Sequence, residues 1–443
     1  MGFKRMRFYN LFHKAKSIFT FCLLFYSFCY PEPAQDNIDS VKINLQEAEK
    51  KFLQNNLQLL AAKYNISAAR ASIIQAELWN NPNISIGQNI YNKFTGKYFD
   101  ITKTGNTDVQ IQQLFLLAGK RNDQVKIAEI NSNISEESFY DLLRTLKTEL
   151  RTDLYDLYFL QESLNFYNAT IPSVKKTVDA SEKIYENHSI LLSEVLRLKS
   201  LLFTLESEKL SITTQISGIE NDLNILLTDS TGINYYYIPR INVKSFDNTD
   251  IKSISLNDVI QTAIENRPDV KIAGLNLKSE EANLALQKAL AIPDVTIGGE
   301  YSRHGSYIPD YYAVTLSIDL PVFNRNQGNI SVSENNIDAD KALLNQAVNS
   351  VKKDVVTAYD KAFETDKLYR NFDNKFTGEY EKLTAGMISN YESRNITIIE
   401  FTDFYDSYKT SVLQAIQLQD SRIDSIENLN FVTGKDLFPP PED

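Results

Sequence analysis

The sequence predicts a mainly α-helical, internally duplicated chain with a four-stranded β contribution. Long helices are expected to fold back as antiparallel hairpins, and the strands to be apolar on one face and polar on the other. Three observations predict this: a long internal repeat, very long stretches free of helix breakers, and four short segments that alternate apolar with polar residues.

The repeat is legible residue by residue. Ile43-Asn44-Leu45 reappears as Ile254-Ser255-Leu256, Asn55 as Asn266, Ala62 as Ala273, Pro82 as Pro293 and Ile86-Gly87 as Ile297-Gly298. Farther on, Leu114 matches Leu320, Tyr185-Glu186 matches Tyr391-Glu392, Glu194 matches Glu400, and Leu223-Asn224 matches Leu429-Asn430. The expected organisation is a leader over 1–30, repeat one over 41–235, a linker over 236–253, repeat two over 254–434 and a tail over 435–443.

The leader differs from the rest. Lys4, Arg5, Arg7, Lys14 and Lys16 precede an apolar run from Ile18 to Tyr30. A basic segment followed by a short apolar one reads as a secretory signal, with an N-terminal anchor as the competing reading. Both cysteines, Cys22 and Cys29, lie here, so no disulfide is expected in the mature chain. Cys29 is the candidate lipidation position, although Phe28 ahead of it fits that motif poorly.

Each repeat opens with a helix, from Leu45 to about Leu78 and from Leu256 to about Leu290. Pro82 and Pro293 follow, and proline fits poorly inside a continuing helix. Strands are expected at 83–91 and 107–117, then at 294–304 and 311–320. Ile84, Ile86 and Ile90 alternate with Ser85, Gly87 and Asn89; Val109, Ile111 and Phe115 alternate with Asp108, Gln110 and Gln112. Val295, Ile297 and Tyr301 oppose Thr296, Gly298 and Glu300, and Tyr312, Val314, Leu316, Ile318 and Leu320 oppose Thr315, Ser317 and Asp319. A period of two puts these sets on opposite faces of a strand. The pattern fits membrane-barrel strands, and equally a soluble sheet packed on helices.

Helical hairpins are expected over about 119–228 and 326–434. The stretch from Lys120 to Glu186 would be on the order of 100 Å long at 1.5 Å per residue. Pro172 and Gly378 are expected to mark a shared bend. Leu191, Val195, Leu198, Leu202, Leu205, Ile212, Ile216, Ile219, Leu223 and Leu226 keep a spacing of threes and fours, broken at Lys209. An apolar stripe on so long a helix must be covered by neighbours. Four strands cannot close a barrel, and open edges are not tolerated in lipid. Strands that span a membrane must therefore be pooled among several chains.

Composition excludes other classes. The net charge is −11, with 23% charged and 43% hydrophobic residues and no basic block beyond the leader, so nucleic acid is not an expected partner. His13, His188 and His304 have no metal-ligand spacing with Cys, Asp or Glu, and no phosphate loop, Rossmann fingerprint or nucleophile elbow occurs. Neither enzyme activity nor a cofactor is expected.

The duplicated order, the Pro-then-strand junctions, Leu320-Pro321-Val322-Phe323-Asn324-Arg325-Asn326 before a long helix, and the Leu-Asn ends at 223–224 and 429–430 together resemble the TolC-type outer membrane efflux proteins. The resemblance covers about residues 41–434 and is similar to the metal- and drug-exporting branch served by resistance-nodulation-division pumps. It implies a homotrimer embedded in outer membrane lipid: twelve strands close one barrel, continued by an α-helical periplasmic tunnel whose tip docks on a periplasmic adaptor and so reaches an inner membrane pump. It implies adaptor-docking turns at Tyr185, Asn187, His188 and Ser189, and at Ser393, Arg394 and Asn395, with His188 and Arg394 standing where the family usually has glycine. It implies a periplasmic gate of Glu400 and Asp403, accompanied by Glu194, with Tyr391 helping to hold the entrance shut. The arginine that often joins this latch maps onto Ile396. Alternatives left open are a polypeptide-exporting type I secretion duct and a structural coiled-coil envelope protein.

Overall fold

The computed structural model describes residues 39–227, 235–304, 308–372, 383 and 386–439. The expected leader with Cys29, and the expected bend at Gly378, lie outside the described residues.

The chain enters through β1 (Asp39–Ile43) and a first helix, α1 (Leu45–Asn55). Asn44 caps α1 through a reciprocal box: its Oδ1 accepts from the Glu47 amide at 2.8 Å, and Glu47 Oε2 accepts from the Asn44 amide at 3.1 Å. The helix expected to run on to Leu78 stops at Asn56, whose backbone is extended, and restarts as α2 (Leu57–Glu77). Asn56 ends one helix and caps the next, its side chain accepting from the Leu59 amide. The second repeat breaks at the same place, because Pro268 disfavours a helical conformation for Arg267.

After α2 come β2 (Asn83–Gln88), a short ribbon of β3 (Tyr91–Asn92) and β4 (Lys97–Tyr98), and β5 (Thr107–Phe115). The long helix α3 (Lys120–Glu186) and its return α4 (Leu192–Leu227) follow. Pro172 lies inside α3 without ending it. Val174 and Val178 beyond it are buried against the neighbouring helices, which hold the helix through the missing hydrogen bond.

The segment expected as a plain linker contains β6 (Tyr235–Pro239), paired parallel with β1 from Asp39 opposite Tyr235 to Ile43 opposite Pro239. Five residues on each side are too short to show a clear alternation, so the pairing left little trace in the sequence. Repeat two then gives α5 (Leu256–Asn266), α6 (Pro268–Leu290), β7 (Val295–His304), β8 (Pro309–Ile318), α7 (Gln327–Asn371) and α8 (Ile398–Thr433), with helical residues 386–392 ahead of α8.

The packed interior runs along the helices in three stretches. Phe52, Leu59, Leu150, Leu154 and Leu223 fill the first repeat, and Tyr155, Phe159, Val351, Val355 and Ile426 fill the junction with the second. Val174, Leu198, Leu205, Phe401 and Tyr405 join the two hairpins toward their turns. Each stretch is supplied by the helical periodicity of its helices.

Candidate functional site: an open sheet and a helical tip

One four-stranded antiparallel sheet, ordered β2-β5-β7-β8, unites the strands of both repeats. Its register sorts the side chains into rows. Ile84, Ile111, Gly299 and Val314 form one row and Ile86, Val109, Tyr301 and Tyr312 the next. The opposite face carries Asn83, Gln112, Gly298 and Thr315, then Ser85, Gln110, Glu300 and Ala313. The apolar face lies open: Ile86 is 71% and Val314 85% exposed. Strands β2 and β8 are the unpaired edges. In water, an uncovered apolar face and two free edges are both unfavourable.

The sheet is fixed to the helices by a buried ion pair. The Lys120 ammonium, 2% exposed as a residue, donates to Asp294 Oδ1 at 2.6 Å and to the Ile292 carbonyl at 2.7 Å, while the Leu117 amide donates to the same Asp294 oxygen. Lys120 begins the long helix of repeat one and Asp294 precedes the first strand of repeat two, so the two repeats leave the sheet as one piece. Beside them the Arg121 guanidinium lies 4.3 Å from the Trp79 ring centroid.

At the far end both hairpins turn identically. His188 and Arg394 have φ of 57° and 62°. The His188 amide donates to the Tyr185 carbonyl and the Ser189 amide to the Ile184 carbonyl; the Arg394 amide donates to Tyr391 and the Asn395 amide to Asn390. These are paired Schellman terminations, in which the left-handed residue is ordinarily glycine. The backbone geometry that suits glycine is therefore present at both turns, with a side chain at each.

The two turns face a shared cavity of about 440 Å³. It gathers Ser189 and Glu194 from the first hairpin and Tyr391, Arg394, Ile396 and Thr397 from the second. Tyr185, Asn187, His188, Ser393, Asn395, Glu400 and Asp403 lie outside its lining. Tyr391 reaches across: its ring sits 5.0 Å from that of Phe401, burial raises its phenol pKa, and the Ser181 hydroxyl and the Glu194 charge act on it from the first hairpin. The Arg394 charge also acts on the Tyr391 phenol, against the effect of burial. A second strap lies higher up, where Lys409 donates to Glu208 Oε1 at 2.9 Å and the Tyr167 hydroxyl donates to Glu208 Oε2 at 3.2 Å.

The three carboxylates differ. Glu400 forms a capping box with Thr397, accepting from the Thr397 amide at 2.7 Å and giving its own amide to Thr397 Oγ1. These bonds, the backbone one first, hold its pKa below the usual value. Asp403 is exposed one turn along α8, and Glu194 is half-buried at the cavity. The box is legible in the sequence as Thr397-x-x-Glu400; the equivalent in repeat one begins with Leu191 and cannot form one.

Sequence reasoning missed the ionic lattice midway along the helices. Arg151, 3% exposed, donates to Glu49 at 2.7 Å, to Glu427 at 3.0 Å and to Asp436 at 3.1 Å. Arg422 donates to Asp366 at 2.8 Å and to the Phe246 carbonyl. These partners come from distant parts of the chain, and no local spacing announces them.

A profile of the family Outer membrane efflux protein matches residues 49–227 and 259–434. The chain belongs to the outer membrane efflux protein family. Among relatives of this efflux-family chain, the cobalt-zinc-cadmium resistance protein CzcC of Cupriavidus metallidurans is 18% identical over 288 residues, covering 65% of each chain. Toxin and drug export protein A of Aggregatibacter actinomycetemcomitans is 22% identical over 400 residues, covering 84% of this chain and 82% of that one. The match to the metal-resistance relative thus spans just under two thirds of that protein's length. Among solved structures, the Campylobacter jejuni CmeC outer membrane channel superposes with a TM-score of 0.73 at 14% identity, covering 90% of this chain and 87% of that one. At that identity the likeness establishes the fold: mostly helical, with few strands.

Proposed function

We propose that this chain is the passive outer membrane exit duct of a tripartite efflux system. Three copies pool their four-stranded sheets into one twelve-stranded barrel, and their helices form the periplasmic tunnel. The observation that carries this reading is the sheet itself, with an open apolar face and two unpaired edges, at one end of a helix, α3, on the order of 100 Å long. Lipid would cover the apolar face, and sister copies would pair the edges. The tip turns would dock on a periplasmic adaptor, and an inner membrane pump of the resistance-nodulation-division class would supply the energy. The cargo class, metal cations or small drugs, follows the resistance and export named for the relatives.

At the entrance, Tyr391 would hold the two hairpins of one copy together, while Glu194, Glu400 and Asp403 of three copies would ring the opening with negative charge and favour cations. A second reading, export of a polypeptide, draws on the toxin-exporting relative, which aligns with more of this chain than the metal-resistance relative does.

Membrane separation tests the duct. The protein should be recovered in the outer membrane fraction, require detergent for release and cross-link as a trimer. Recovery from the periplasm without detergent would refute it and favour a structural coiled-coil protein. Deleting the gene then distinguishes the cargoes: lost metal or drug tolerance supports efflux, and lost secretion of a protein supports the second reading.

A further inference from the structure

The two hairpins of the sheet are closed differently. β7 and β8 are joined across residues 305–308, whereas β2 and β5 are joined by residues 89–106, which carry their own ribbon of β3 and β4. That loop is rigidly built. Asp100, 3% exposed, accepts from the Thr95, Thr102 and Thr104 hydroxyls, the Thr102 amide and the Asn92 side-chain amide. The Asn92 amide also donates to the Thr104 carbonyl, and Gly96 turns the ribbon with φ of 68°. From β7, Arg303 clamps the loop by donating to the Ile101 and Thr102 carbonyls at 2.5 and 3.1 Å.

This scaffold holds apolar groups outward. Phe94 is fully exposed, and Tyr91, Tyr98, Phe99 and Ile101 are exposed with it. The frame of hydrogen bonds gives them no route to fold inward, so their exposure is a property of the loop. Between them stand Lys93, Lys97 and Lys103, all exposed and none in an ion pair among the described residues. The carboxylate of the segment, Asp100, faces inward with its bonds satisfied, so the outer surface is basic on a chain whose net charge is −11. The loop also continues the apolar face of the sheet, since Ile90 follows Ile84 and Ile86 and the Phe99 amide donates to the Ile90 carbonyl at 2.8 Å.

We propose that residues 91–104 are an interfacial anchor that binds the anionic headgroups of the lipid leaflet around the barrel. Aromatic rings with polar edges favour the headgroup layer. Lysine stems lie along apolar surface while their ammonium groups meet anions, and each such lysine near an anionic surface adds attraction that decays within a Debye length. The proposal rests on the membrane reading above.

Tryptophan quenching in vesicles separates the two. In a Trp79→Phe background, Val314→Trp reports the barrel face and Phe94→Trp the loop. The full-length protein is reconstituted in phosphatidylcholine vesicles, with and without phosphatidylglycerol, containing lipid brominated near the top of its acyl chains. Quenching of both reporters, with the Phe94→Trp signal dependent on phosphatidylglycerol, supports the anchor. Replacing Lys93, Lys97 and Lys103 with Gln should then lower the ratio of engaged to free loop by on the order of 100-fold. Quenching of Val314→Trp while Phe94→Trp responds only to aqueous iodide overturns the anchor and leaves the membrane reading standing. A Phe94→Trp shielded from both lipid and iodide overturns it in favour of loop tips meeting over the barrel mouth. Equal quenching with and without phosphatidylglycerol overturns headgroup recognition. If neither reporter meets lipid, the membrane reading itself fails.

Discussion

His188 and Arg394 occupy one and the same left-handed position, each closing the hairpin of its own repeat with the same pair of backbone hydrogen bonds. A side chain at such a position costs roughly 1–2 kcal/mol through the clash of Cβ with the following carbonyl. Glycine removes that clash but gives up some unfolded-chain restriction. His188→Gly or Arg394→Gly should therefore stabilise its tip by about 0.5–1 kcal/mol, seen as slower amide exchange at Ser189 or Asn395. Faster exchange would show that the side chains hold the turns by contacts stronger than the strain.

Tyr391 spans the two hairpins, so its truncation should loosen the tip. Tyr391→Ala removes both the ring stacked on Phe401 and the hydroxyl acting with Ser181; Tyr391→Phe removes only the latter. Single-channel conductance should rise in the order wild type, Phe, Ala. An Ala variant that conducts like wild type would remove Tyr391 from the gate.

The acidic ring proposed for the entrance gives a separate test. Glu400→Ala with Asp403→Ala should lower the preference for cations over anions in planar bilayers. Because Glu400 also caps α8, Glu400→Gln with Asp403→Asn is the cleaner pair: it removes charge and leaves an acceptor for the Thr397 amide. Unchanged selectivity in both pairs would place the filter elsewhere.

How much of this was legible depended on the range of each interaction. The alternation at Ile84-Ser85-Ile86 and the breaker-free run from Lys120 are local signals, and each maps onto one element, as does the Thr397-x-x-Glu400 box. Both breaks were missed: the one at Asn56 because asparagine serves as readily in a turn as on a helix surface, and the one at Arg267 although Pro268 marks it. The pairing of β1 with β6, and the convergence of Arg151 with Glu49, Glu427 and Asp436, bring together parts of the chain remote in sequence. At the tip, the sequence marked Tyr391 and Glu194 individually, but only the packing of α3 and α4 against α8 brings them to one cavity.

A group of carboxyls along α3, α4 and α8 predicts an unusual response to pH. Burial, then the charges of Glu149, Asp222 and Asp156, push Asp153 up to about 7, and one of its oxygens is buried without a partner. Burial likewise raises Asp156 and Asp420, each helped by the charge of Asp424, and raises Glu220 to about 7. A carboxyl whose folded pKa lies above its unfolded value contributes stability below the unfolded pKa, and that stability is lost as pH rises through the folded value. Thermal midpoints should therefore fall between about pH 4 and pH 8. Asp153→Asn should flatten that fall; an unchanged slope would show that these groups do not control it.

Arg151 makes the sharpest stability test, because its partners differ in exposure. Glu427 is almost fully enclosed, with Oε1 unpartnered; burial raises its pKa while Arg151 pulls it down. Asp436 stands nearer solvent and is held below its ordinary value although burial opposes this, chiefly by the charges of Arg151 and Lys147. Removing the guanidinium leaves Glu427 without its cation in a site where water cannot replace it. Arg151→Met should cost about 3–5 kcal/mol in denaturant unfolding. Pairing it with Glu427→Leu removes the stranded carboxylate and should recover most of that loss, since an apolar replacement of a buried ion pair is often neutral. Pairing it instead with Asp436→Asn should recover little, because the exposed carboxylate can be hydrated. Equal recovery in the two double variants would mean that the lattice acts through its summed charge, and that the burial of Glu427 has no special role.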